Sequence, residues 1–186
     1  MRLNLNETDY GSYLAADTSL TPALLEKRCV SKMVKEFNYL RSHAVYPLTK
    51  FLDFLTYEFM IENVMLLLRG TLSGRNVNEL MEQCHPLGMF KESTMRIIPT
   101  FEATPRGYSD LYETVLIDTP VGPYFQAYLD SEMESIANTG EMRAILEETK
   151  IEILKNSLLK FYMEDFYAFC EGLEGATGLL MCELLS

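Results

Sequence analysis

From Leu48 to Arg69 the chain reads LTKFLDFLTYEFMIENVMLLLR. Its apolar residues surround most of a helical axis, a pattern that suits a helix packed on several sides. The length invites a membrane span, but Lys50, Asp53, Glu58 and Glu62 lie within it. A charge at the bilayer centre costs about 2.5–3.5 kcal/mol on insertion scales, so the segment reads as a soluble core helix. Pro47 opens it, because the residue before a proline avoids the helical region, and Gly70 reads as its stop. At about 100° per residue, Glu58, Glu62 and Arg69 form one polar stripe. Thr49, Asp53, Thr56 and Asn63 form a second. Two such stripes predict a central helix with two narrow polar outlets.

A helix of this kind needs neighbours to bury it. With 186 residues, 48% of them hydrophobic, the chain has material for one or two compact units. The net charge of −11 argues against a primary nucleic-acid role, which needs a clustered Lys/Arg surface. It suits solubility, or docking on basic partner surfaces. Cys29, Cys84, Cys170 and Cys182 are far apart in sequence and form no CxxC pair. The opening MRLNLN lacks the apolar run of a signal peptide, so reduced cytosolic thiols are expected.

The periodicity elsewhere is helical. Thr21-Pro22 supplies an N-cap followed by proline at the first helical position. Val30, Met33, Val34, Phe37, Leu40 and Ala44 recur at spacings of three and four. They predict an apolar face, with Lys32, Lys35 and Tyr39 on the other side. Between residues 70 and 109 only a short helix around Val77–Met81 and a turn at Cys84–Gly88 are expected. Ser109-Asp110 reads as the cap of a helix to about Leu116, and Asp118-Thr119-Pro120 as the cap of another to about Leu129. Glu141–Glu171 reads as the longest helix, with Ile151, Leu154, Leu158, Phe161, Tyr162 and Phe169 as its core stripe. Gly172–Gly178 interrupts, and a further helix starts at Leu179. No strand alternation is present, so the class is all-α. Phe54, Leu55, Ile61, Leu68, Leu154, Leu158 and Phe161 are expected to be buried.

Cys84-His85 is the one place where two reactive side-chain types meet. A nucleophilic pair needs the imidazole within reach of the sulfur and a third group to orient it, and sequence neighbours in a turn rarely point at one another. Zinc would need four ligands in recognisable pairs. The competing reading is a rigid turn fixed by Pro86 and relaxed by Gly88, with Cys84 packed as a small apolar group. Glu58 and Glu62 could be half of a bundle-type metal site, but no Glu-x-x-His partner occurs. A solvated stripe, or partners supplied by Arg69 and other helices, explains them better. Asp165, between Phe161 and Phe169 on an apolar face, is expected to meet a Lys, an Arg or a hydroxyl.

The motifs also carry a resemblance. Thr8-Asp9-Tyr10-Gly11, Phe51-Leu52-Asp53-Phe54, Thr56-Tyr57, Met60-Ile61, Asn63-Val64 and Gly70-Thr71-Leu72 follow one another in family order. Then come Cys84-His85-Pro86-Leu87-Gly88 and Asp118-Thr119-Pro120. Asn156, Leu158, Lys160, Tyr162, Glu164, Phe166-Tyr167 and Phe169-Cys170 complete the set. Together they resemble the subunit d family of the rotary vacuolar-type proton-pumping ATPase. One mild departure is Glu174-Gly175-Ala176, where the family pattern has Gly-Gly before Thr177.

The resemblance implies an all-helical, funnel-shaped fold of three similar subdomains, here incomplete at both ends. Residues 1–186 would be the partial domain, with approximate subdivisions 1–140 and 141–186. The first helix and a half of the pattern, and everything after the segment around Met181, are expected to be missing. It also implies a non-catalytic coupling subunit with no catalytic residues, cofactor or metal. Its partners would be the proteolipid ring and the central stalk, with the amino-terminal domain of subunit a as a further one. It would sit peripherally, through protein contacts, on the cytoplasmic face of vacuolar, endosomal or other acidic-organelle membranes. Two other readings stand beside this one: a free-standing helical adaptor of the same fold, and an enzyme using Cys84 and His85.

Overall fold

The structure, a computed structural model, describes residues 7–11, 21–100, 112–136 and 148–186. Every regular element among them is helical. The chain divides into two compact units, Met1–Leu52 and Asp53–Ser186.

In the first unit, α1 (Pro22–His43) starts as its cap residues require. The Leu24 N–H donates to Thr21 Oγ1 at 3.2 Å, and Pro22 occupies the first turn, where its missing N–H costs nothing. Arg41 and His43 lie in the last turn, where positive charge suits the carbonyl end of the helix dipole. The expected burial pattern holds only in part: Val30, Val34, Phe37 and Ala44 are half-buried and Lys35 and Tyr39 exposed, but three residues depart from it. Lys32, placed by periodicity on the outer side, is the one residue of α1 that is buried. Its ammonium pairs with Glu36 and lies 4.5 Å from the centre of the Tyr10 ring. The Thr8–Gly11 turn presents that ring and is closed by Gly11 N–H to Thr8 O at 2.9 Å. Met33 and Leu40, expected to be core, are 41% and 48% exposed. Periodicity finds the apolar face of a helix but not which face a neighbour covers. A cis Tyr46–Pro47 bond precedes α2 (Leu48–Leu72).

The second unit is built around α2. Phe54, Tyr57, Met60, Ile61, Val64, Met65, Leu67 and Leu68 are all buried, as a helix packed on several sides should have them. Leu55, expected among them, is half-exposed at 36%. Gly70 does not stop the helix. The helix runs on to Leu72, and the left-handed residue after it is Gly74, at φ +62. Gly70 serves a packing need instead: a Cβ there would lie 2.2 Å from Leu80 Cδ1. Leu80 belongs to α3 (Val77–Gln83), is fully buried, and approaches α2 this closely only over a glycine.

A 3-10 turn at Pro86–Gly88 leads to α4 (Glu92–Ile97), and a π-type turn spans Tyr112–Leu116. The expected cap at Ser109-Asp110 lies outside the described residues. Asp118-Thr119-Pro120 closes the preceding turn rather than capping a helix. The Thr119 hydroxyl donates back to Leu116 O at 2.7 Å, and α5 begins later (Gly122–Ile136).

The long helix α6 is described from Glu148 to Glu171; residues 141–147 of the expected span lie outside the described residues. At 25 and 24 residues, α2 and α6 are the two longest helices described. The buried stripe of α6 is Ile151, Leu154, Leu158, Tyr162, Phe166 and Cys170. Its steps of three and four carry it past Phe161, which is only half-buried, contrary to expectation. The last helix, α7, starts at Ala176, three residues before the expected Leu179, after Gly175 at φ +77. One seam of rings joins these helices. Phe54 lies 5.0 Å from Phe166 and 5.1 Å from Phe169, and Tyr124 of α5 meets Tyr57 and Tyr162. Each such buried ring contributes about 1.5–3 kcal/mol through burial alone.

Candidate functional site: a turn locked to the central helix

Of the two polar stripes of α2, the second is closed at Thr56 and Asn63 and the first reaches solvent through Glu58 and two half-exposed ion pairs. On the second, Asn63 is 2% exposed and spends its amide on the backbone of the Cys84–Gly88 turn. Its Nδ2 donates to His85 O at 2.9 Å, and the His85 N–H donates to its Oδ1 at 2.7 Å. One side chain thus satisfies both backbone groups of a single residue, as a paired strand would. Thr56, also buried, donates from its hydroxyl to Asp53 O at 2.7 Å, within its own helix.

The turn completes the lock. The Leu87 N–H donates to His85 Nδ1 at 3.2 Å, which places the imidazole proton on Nε2. The imidazole stacks on Phe59 of α2, with ring centres 4.0 Å apart and planes at 15°. Burial lowers the His85 pKa. Gly88 is buried against α2: a Cβ there would fall 2.2 Å from Phe59 O and 2.7 Å from Asn63 Nδ2. Only glycine fits this approach. Cys84 is buried and its thiol donates to Leu80 O at 3.4 Å. Burial raises its pKa, which keeps it in the protonated, poorly nucleophilic form. His85 Nδ1 and the Cys84 thiol are therefore both turned to backbone partners.

The first stripe, through Glu62 and Arg69, faces α6. Glu62 Oε1 lies 2.6 Å from Lys155 Nζ, and Arg69 pairs with Glu152. These pairs are partly solvated, which limits each to about 1 kcal/mol or less, so they set register more than stability. Asp165 is met by a hydroxyl, one of the three expected partners: Tyr124 Oη donates to its Oδ2 at 2.8 Å. The carboxylate itself is exposed rather than buried. Burial first, and then the bond to Asp165, push the Tyr124 hydroxyl well above the usual phenol range. Burial, aided by Glu58, holds Tyr162 up to about 12.

Sequence reasoning singled out the Cys-His turn but gave Asn63 only a place in a stripe. The available signal was an amide whose neighbours one helical turn away, Phe59, Met60, Leu66 and Leu67, are all apolar. Among the described residues, no group of three or more His, Cys, Asp or Glu is arranged to hold a metal. No described helix is long and apolar enough to cross a membrane.

The geometry defines a helical packing module, in which a central helix clamps a turn on one side and a parallel run of ion pairs on another. A family model described as "ATP synthase (C/AC39) subunit" matches residues 1–186, and the chain belongs to that family. Among its relatives is "V-type proton ATPase subunit d" of Dictyostelium discoideum, 41% identical over 100% of this chain and 47% of that protein. A "Probable V-type proton ATPase subunit d" of Oryza sativa subsp. japonica is 42% identical over 100% of this chain and 48% of that protein. "V-type proton ATPase subunit d" of Saccharomyces cerevisiae is 39% identical over 91% and 45%. The chain thus spans about half the length of the curated relatives it matches.

Proposed function

We propose that this chain acts in a rotary V-type proton pump as a non-catalytic coupling subunit, holding the central stalk on the proteolipid ring so that ATP-driven rotation moves protons. The observation that carries the proposal is the match of the whole chain, at about 40% identity, to proteins named V-type proton ATPase subunit d. The packing supports it physically. A part that transmits torque must deform little, and close-packed interiors have that property. Around α2 the turn is fixed by Asn63, α6 by ion pairs and stacked rings, and α3 by the Gly70–Leu80 approach. In this reading Cys84 and His85 hold the turn and do no chemistry. The subunit sits peripherally on the cytoplasmic face of an acidic organelle, and the amino-terminal domain of subunit a is a further partner.

The test is co-purification of the tagged chain with the proteolipid ring and the central stalk from detergent-solubilised membranes. Recovery of both supports coupling. If neither accompanies the tagged chain, the coupling role fails and a free-standing helical adaptor takes its place.

A further inference from the structure

The hairpin of α6 and α7 brings together two of the four cysteines, neither of which takes part in the Cys84–Gly88 lock. Gly178, near the start of α7 (Ala176–Leu185), is buried against the end of α6. A Cβ there would lie 2.2 Å from Leu173 O and 3.0 Å from Cys170 O. Cys182 follows Gly178 by one turn on the same face, and it lines an open hollow of about 450 Å³ together with Tyr167 and Glu171. Forward along α7 is therefore backward along α6. In that antiparallel register Cys170, which lies between Leu173 and Tyr167 on its helix, faces the seam beside Cys182. A disulfide needs Cα atoms about 4.4–6.8 Å apart, and with glycine at 178 no side chain holds the two backbones away from each other.

The two thiols differ in what can reach them. Cys170 is fully buried, and burial, followed by the nearby Cys182, raises its pKa. It meets no solute from solution and stays protonated. Cys182 is partly exposed and opens on the hollow, beside the Tyr167 hydroxyl, whose pKa it raises together with Glu171. An oxidant the size of a peroxide therefore meets Cys182 first and finds Cys170 behind it. This is the arrangement of a reacting thiol with a resolving one.

We propose that Cys170 and Cys182 form a reversible disulfide that staples α7 to α6, with a peroxide as the oxidant. The Cys182 sulfur attacks one peroxide oxygen, the O–O bond breaks, water leaves, and Cys182 becomes a sulfenic acid. The Cys170 sulfur then displaces the hydroxyl group, which departs with the Cys170 proton as a second water. Two thiols thus give two electrons and two protons to one peroxide, and a thiol reductant reverses the change. The proposal needs only the α6–α7 hairpin, so a failed co-purification with the ring and stalk leaves it standing. To test it, the folded 186-residue chain is treated with dilute hydrogen peroxide and its free thiols are alkylated. It is then digested without reductant by a glutamate-specific protease, which cuts between the two cysteines at Glu171 and Glu174. Mass spectrometry should find the Cys170 and Cys182 peptides joined, and dithiothreitol should part them. Amide exchange across α7 should slow about tenfold in the oxidised chain, because opening this helix then works against a covalent tie. Cys182→Ser, at a partly exposed position, should keep the circular dichroism and lose both the joined peptides and the slowing. Free thiols at both positions, further oxidation of Cys182 with Cys170 still free, or linkage of either to Cys29 or Cys84 overturns the proposal. So does unchanged exchange in a chain that has formed the link.

Discussion

Replacing Asn63 with alanine tests the lock where it carries most. The substitution removes two hydrogen bonds, of 2.9 and 2.7 Å, and strands the His85 N–H and C=O against α2. An unsatisfied buried backbone group costs about 1–3 kcal/mol. With both stranded, Asn63→Ala is expected to destabilise by about 3–5 kcal/mol, a large share of a typical ~5–15. With a urea slope of about 2 kcal/mol per molar, the midpoint should fall by about 2 M. Asn63→Asp separates the two bonds. It keeps an acceptor for the His85 N–H but points a charged oxygen at the His85 carbonyl, so at neutral pH it should be worse than alanine. Urea unfolding followed at 222 nm gives the stabilities, and amide exchange at His85 and Leu87 locates the damage. A midpoint shift below about 0.5 M for Asn63→Ala, with unchanged exchange at His85, would refute the lock.

Gly88→Ala drives a Cβ to 2.2 Å from Phe59 O, a backbone atom that cannot step aside, and should cost about 3 kcal/mol or more in the same urea assay. Ile61 is fully buried, so Ile61→Asp places a charge in an apolar surrounding and should cost several kcal/mol, measured as lost helicity and a lowered urea midpoint. Burial lowers the His85 pKa in the folded chain, so below the unfolded value of about 6.5 the unfolded chain binds more protons. Stability is then full above that pH and is lost as pH falls toward the folded pKa. Urea titrations of the parent should decline against His85→Asn in that window and run parallel above it. Cys84→Ser keeps a donor for Leu80 O and should lower the stability measured by urea little, by about 1 kcal/mol or less.

What could be read in the sequence was whatever local chemistry decides. Thr21-Pro22 is a cap whatever surrounds it, and a segment as apolar as Leu48–Arg69 has to be buried on several sides. The misreadings share one cause. Gly70 has the composition of a helix stop, but its role is set by Leu80, ten residues away, which needs the space. Lys32 looks like a surface residue until Tyr10 and Glu36 are brought to it. Leu55, Phe161 and Phe169 lie at the edges of their stripes and are not fully buried, because there a small rotation decides burial and periodicity has no resolution. The turn at Cys84–Gly88 was visible as a rigid unit. Its attachment to α2 was not, because a hydrogen bond between residues 63 and 85 leaves no mark in either local pattern.

The Tyr124–Asp165 contact gives the molecule a built-in optical reporter. The chain has no tryptophan, so its near-ultraviolet signal comes chiefly from tyrosine. A phenol that donates to a carboxylate absorbs to the red of one in water, and Tyr124 makes that bond across from α5 to α6. With Tyr57 and Tyr162 packed beside it at 6.3 and 6.2 Å, it also sits in a fixed asymmetric environment, which gives rise to circular dichroism in that band. Separation of α5 from α6 would erase the red-shifted component while leaving the far-ultraviolet helix signal in place. The docking of these two helices can therefore be followed without a label, separately from whether either helix is formed.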